Sequence, residues 1–124
     1  MERGQGNLFD EVPAPSAAEH LTTLLASENF HLERIISTGQ STPEGQWLTQ
    51  ETGEWVVLLS GAAGLRFEQD AQEIVMRPGD YVYIPAGCRH RVAWTSPDEK
   101  SVWLALHDKS HVSGSESHEQ GYES

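Results

Sequence analysis

Residues 78–94 read Pro-Gly-Asp-Tyr-Val-Tyr-Ile-Pro-Ala-Gly-Cys-Arg-His-Arg-Val-Ala-Trp. The Pro78-Gly79 pair sets a turn, because Pro fixes φ and Gly accepts φ > 0. Asp80-Tyr81-Val82-Tyr83-Ile84 follows as a short β-prone run. Pro85 closes that run, since it brings no N–H to a sheet ladder. Gly87 permits a second tight turn, and His90-Arg91-Val92-Ala93-Trp94 then alternates as a new strand. The expectation is strand, turn, strand, with one histidine at the start of the second strand.

Further strands are predicted on both sides of this unit. Phe30–Ile36 alternates, Gln46–Gln50 is a plausible short strand, and Glu54-Trp55-Val56-Val57-Leu58-Leu59 is the most β-prone run in the chain. Leu65–Glu68, Glu73–Met76 and Ser101–His107 complete a set of short strands separated by turn residues. That spacing predicts an antiparallel sandwich or barrel. Nearer the amino terminus, Ser16 with Glu19 reads as a capping box, and Leu21, Leu24 and Leu25 recur at helical spacing. A short helix over about 17–27, covering an end or edge of a sheet, is the expectation there. After Lys109 the chain has almost nothing apolar to bury, which predicts a disordered tail. The organisation is therefore an extension with a short helix at 1–29, a β-barrel at 30–108 and a polar tail at 109–124.

The chain has 124 residues, enough for one domain with one core. Eight basic residues against nineteen acidic ones give a net charge of −11, and the basic residues do not cluster. Nucleic acid and anionic membranes are excluded as expected partners on that basis. The sequence shows no apolar run of spanning length and no secretory leader, so the expected location is cytoplasmic. The single cysteine, Cys88, excludes an internal disulfide and a cysteine-cluster metal site.

The spacing Gly79, five residues, Pro85, one residue, Gly87, two residues, His90 resembles the second signature of the cupin superfamily up to its histidine. The family pattern continues to an Asn three residues later, where this chain has Trp94. Of the first signature, Glu54, six residues and Gly61 are present, but the His-x-His pair is absent. Its two histidines align with Leu48 and Gln50, or with Trp47 and Thr49. The resemblance implies an all-β, cupin-type double-stranded β-helix, a jelly-roll barrel, in the manner of small bacterial cupins. It also implies a small-molecule ligand in the barrel and a homodimer.

In cupins the two histidines, the Glu and the second-signature His hold a metal. The resemblance places Glu54 and His90 at two of those four positions, with Gln50 at a third. A divalent ion (Fe, Mn, Ni or Zn) held by Gln50, Glu54 and His90 is one expectation. One imidazole and one carboxylate make a poor transition-metal site, since iron oxygenases use at least two histidines and a carboxylate. The other expectation is therefore a buried Glu54–His90 hydrogen-bonded pair. Two function classes follow: a cupin that binds a small polar metabolite, or a metal-dependent enzyme of the dioxygenase or isomerase type.

Alternation sends Cys88, Val92 and Trp94 inward with His90, and Val56 and Leu58 inward with Glu54. Trp55, Val57 and Leu59 then face outward. That apolar set calls for cover by a second subunit or by Leu21, Leu24 and Leu25. Trp47 is expected to stack on a ligand at the barrel mouth or to join the core. Cys88 beside His90 reads as a core thiol or a ligand-contacting one. His107 ends the last strand, either solvated or turned into the mouth. Arg66 and Arg91 face outward, either solvated or taking a carboxylate or phosphate.

Overall fold

The computed structural model describes residues 3–10, 14 and 17–109. Eight strands run through them: β1 (His20–Ala26), β2 (Phe30–Ser37), β3 (Gly53–Ser60), β4 (Ala63–Phe67), β5 (Ile74–Met76), β6 (Tyr81–Ile84), β7 (His90–Thr95) and β8 (Ser101–Asp108). They form a five-stranded sheet in the order β1-β2-β8-β3-β6 and a three-stranded sheet in the order β5-β4-β7. Every pairing is antiparallel. Gly79 and Gly87 adopt φ of 96° and 78°, so the two turns framing β6 are the glycine-dependent ones the sequence predicts.

The sheets close on a core of Val56, Leu58, Ala63, Leu65, Met76, Ile84, Trp103 and Ala105. Leu58 and Met76 are fully buried. Full burial of such a side chain stabilises the fold by about 1.5–3 kcal/mol. Trp103 brings a polar group into this core, and its Nε1–H donates to Ser37 Oγ at 3.1 Å. Ser37 in turn donates to Glu19 Oε2 at 2.8 Å. Among the described residues, no helix is long and apolar enough to cross a membrane.

Three expectations need correction. The short helix over about 17–27 is not formed; His20–Ala26 is strand β1, paired along β2. A short helix in water needs a buried apolar face, and the three leucines have none: Leu21, Leu24 and Leu25 are 58%, 39% and 57% exposed. As a strand, the same residues satisfy the ladder edge of β2 that would otherwise lie open. The leucines therefore do not bury the outer face of β3 from within. Gln46–Gln50 is not a strand either, and joins the sheets only through a single bridge between Leu48 and His90. Third, Trp94 points outward. A register shift in the β4–β7 pairing sets Trp94 opposite Gly64, and Thr95, 4% exposed, becomes the buried residue opposite Ala63. The tail from residue 110 lies outside the described residues.

Candidate functional site

Register across the five-stranded sheet collects the chemistry. Val56, Leu58 and Ala105 are buried toward the core, so Glu54 and His107, two residues away on the same strands, share that inner face. His107 lies directly opposite Glu54 on β3 and opposite His31 on β2. A polar row, His31–His107–Glu54, therefore crosses three adjacent strands inside the barrel. Directly opposed side chains have Cβ atoms about 4.5–5.5 Å apart. The next row, Glu33–Ala105–Val56, adds a second carboxylate.

These groups are paired with one another. His107 Nε2 and Glu33 Oε2 are 2.9 Å apart, with side chains 16% and 13% exposed. The rings of His31 and His107 lie 5.5 Å apart, and His31 Nε2 is 2.9 Å from Thr23 Oγ1. Glu54 Oε1 accepts from Gln50 Nε2 at 2.6 Å. The Glu54–His90 pair expected from the sequence is not formed. His90 is 5% exposed, and its Nδ1 is 3.0 Å from the Cys88 carbonyl. A carbonyl only accepts, so Nδ1 carries a proton there.

The segment carrying Trp47 and Gln50 is held against β7 by backbone bonds. Leu48 N donates to His90 O at 2.6 Å, His90 N to Leu48 O at 3.0 Å, and Gly87 N to Gln50 O at 2.8 Å. Gln50 thus joins Glu54 to the His90 edge, while Trp47 sits half-buried just ahead of the bridge. Cys88 packs half-buried against the core. Burial first, and the Asp70 carboxylate second, push its thiol pKa up. A raised value keeps the sulfur protonated at neutral pH, the opposite of an activated nucleophile.

Among the described residues, no three His, Cys, Asp or Glu side chains form a group that could hold a metal ion. Gln50 turns its amide N–H to Glu54, and His107 is committed to Glu33. Gln50, Glu54 and His90 supply one amide, one carboxylate and one imidazole, a reduced donor set one histidine short of the two histidines and carboxylate of an iron oxygenase. An open cavity of about 310 Å³ lies beside the bridge. Leu48 and Val92 line it together with Glu19, Gln40 and Thr42, and it holds none of Gln50, Glu54 or His90.

Sequence reasoning passed over His31 and Glu33. The signal was present, because His31, Glu33 and Ile35 alternate on one face of a strand whose Ile35 packs on the core.

A family model described as the cupin domain matches residues 35–107. The chain belongs to the cupin family. A solved structure from Ralstonia eutropha, described as a candidate mannose-6-phosphate isomerase, is 47% identical. That match has a TM-score of 0.84 and covers 86% of this chain and 99% of the other. A cupin superfamily protein from Desulfitobacterium hafniense is 16% identical, covers 87% of this chain and 94% of its own, and has a TM-score of 0.67. The polyketide cyclase RemF from Streptomyces resistomycificus is 20% identical over 86% of this chain and 80% of its own, with a TM-score of 0.68. At those identities the last two establish the double-stranded β-helix fold alone. Comparison with curated proteins returns no match.

Proposed function

We propose that this cupin binds a small polar metabolite inside its barrel, with Glu54, Gln50, His107, Glu33 and His90 as the contacting groups and Trp47 and Cys88 at their margin. The observation that carries this reading is the polar row His31–His107–Glu54, with Glu33 beside it, at the end of a face that otherwise holds the apolar core. Ionisable groups in such a setting cost free energy unless something hydrogen-bonds them. Their mutual pairing satisfies only part of their capacity, because a carboxylate accepts at both oxygens. A polyhydroxylated or carbonyl-bearing metabolite offers the remaining partners. Isothermal titration of the full chain with a panel of sugars and hydroxy acids tests this. A hit is expected to weaken about tenfold in Glu54→Gln, the scale of one charge-assisted hydrogen bond. A hit unchanged in that variant places the ligand elsewhere.

A metal-dependent isomerase or dioxygenase is the second reading, supported by the 47% identical relative's description as a candidate isomerase. It requires solvent or substrate to complete a donor set that Gln50, Glu54 and His90 leave short. Elemental analysis of untagged protein, loaded in turn with Fe, Mn, Ni and Zn and then dialysed, separates the two. Retention of about one ion per chain, lost in His90→Ala, favours the enzyme.

We further infer a homodimer through the outer face of the five-stranded sheet, where Leu25, Leu32, Leu106, Trp55 and Tyr83 form one apolar row across all five strands. The acidic composition and the absence of a basic cluster in the sequence argue against nucleic acid or an anionic membrane as partner.

A further inference from the structure

Leu65 and Phe67 face the core, so Arg66 between them faces outward from β4. Arg91 lies between the inward His90 and Val92, and the register sets it directly opposite Arg66. Two like charges at that separation repel. Two acids flanking the pair in sequence or register are engaged elsewhere. Glu68 pairs with Arg89 at 2.9 Å. Glu73 accepts from the Trp94 indole at 2.6 Å, in a place where a Cβ on Gly64 would collide with the ring. Arg91 is fixed by Nη2 bonds to the carbonyls of Thr42 at 2.7 Å and Pro43 at 3.4 Å, neither of which carries charge. Among the described residues, the Arg66 side chain has no hydrogen bond or ion pair. The Nε atoms of both side chains are buried without a partner. Two half-buried arginines thus occupy directly opposed positions on the outer side of the three-stranded sheet, with no acidic partner among the described residues.

We propose that Arg66 and Arg91 together bind a phosphate group. A guanidinium presents a planar fork that takes two oxygens of an oxyanion at once. A carboxylate has only two oxygens and saturates one fork. A phosphate has a further oxygen for the second arginine once the Arg66 fork is filled, and close to the two charges needed to neutralise the pair at neutral pH. The ligand is inorganic phosphate or the phosphate of a monoester. The site is separate from the barrel interior, lying on the opposite face of the sheet from His90, and stands or falls independently of the metabolite reading.

The test is calorimetric titration of the full chain at constant ionic strength with inorganic phosphate, glycerol 3-phosphate and acetate. Phosphate is expected to bind, acetate is not, and Arg66→Gln is expected to weaken phosphate about tenfold or more. Without ligand, Arg66→Gln is expected to melt above the wild type, because a repulsion has been removed; saturating phosphate then raises the wild-type melting temperature more than the variant's. Arg91→Lys, which keeps the charge but loses the fork, is expected to bind more weakly than wild type. Tighter binding of glycerol 3-phosphate than of phosphate assigns an organic phosphate, and equal binding assigns the free ion. Equal phosphate affinity in wild type and Arg66→Gln overturns the proposal. So does a wild type with neither heat of binding nor thermal shift, or an unliganded Arg66→Gln that melts below the wild type.

Discussion

At one end of the five-stranded sheet the two faces depart from the usual arrangement. An antiparallel sheet with one wet face is normally apolar toward the core and polar toward water. Here the inner face carries His31, His107, Glu54 and Glu33 at one end of its core. The outer face carries Leu25, Leu32, Leu106, Trp55 and Tyr83 in one row, with Val57 and Tyr81 in the next. Residues 8–10 cross part of this outer face, where the buried Arg34 donates through Nη1 to the carbonyls of Leu8 and Asp10 at 3.2 and 2.7 Å. Around Tyr81 the face is open among the described residues: Tyr81, stacked 5.5 Å from Trp55, is 64% exposed. The contrast separates two demands. Polar groups inside a barrel call for a ligand or for each other, whereas apolar groups outside call for a second protein surface.

The sharpest way to break this comparison uses neighbours on β3. Leu58 is fully buried in the core, and Leu58→Ala is expected to cost about 2–5 kcal/mol by urea unfolding. Val57 on the outer face is half-buried, and Val57→Ala is expected to cost about 1 kcal/mol or less in the monomer. Equal losses would mean that both faces are interior.

The next effect is on mass rather than on monomer stability. Sedimentation at micromolar concentration is expected to give a dimer for the wild type and a monomer for Leu25→Arg/Tyr81→Asp, both exposed positions in the single chain. A wild-type monomer would leave the outer row without its proposed partner. A dimer unchanged by the double variant would place the interface on another face.

On the inner face, Glu33→Gln removes the carboxylate that holds His107. About 1–3 kcal/mol of stability is expected to go with it at neutral pH, because the imidazole loses its charged partner in a largely buried place. A loss below about 0.5 kcal/mol would show that the row is solvated and that water, not a ligand, completes it.

The β6–β7 unit was legible because its conformation is dictated locally. Pro78, Gly79, Pro85 and Gly87 each restrict or permit backbone angles whatever surrounds them. Glu54 facing inward was legible for the same reason, since alternation along an unbroken run needs no tertiary knowledge. The segment over 20–26 was not legible. Its leucines fit a helical stripe, and only the open edge of β2, whose other partner β8 is far away in sequence yet adjacent in the fold, decides for a strand. Trp94 was misassigned because a one-residue register shift reverses every later side chain, and no residue type near it announces the shift. The link between His107 and Glu33 was also beyond the sequence, because it depends on how β2 and β8 align.

The smallest expected effect concerns Cys88, at the border between core and site. Burial, and secondarily Asp70, raise its thiol pKa above the ordinary value of 9.0. An acid whose folded pKa is raised holds its proton more tightly in the folded chain. As pH climbs past about 9, the unfolded chain releases that proton first, so stability present below pH 9 is lost as the pH approaches the folded value. Tyr83 adds the same sign from 10.0 upward, through burial and then Asp108. The wild type is therefore expected to lose more stability between pH 8 and pH 10 than Cys88→Ala, whose packing defect does not change with pH. The slope difference is read from urea unfolding at the two pH values. Iodoacetamide at neutral pH is expected to modify the folded thiol more slowly than the urea-unfolded one. A Cys88 that reacts faster in the folded protein would reverse its assignment, from a core thiol at the edge of the site to a nucleophile within it.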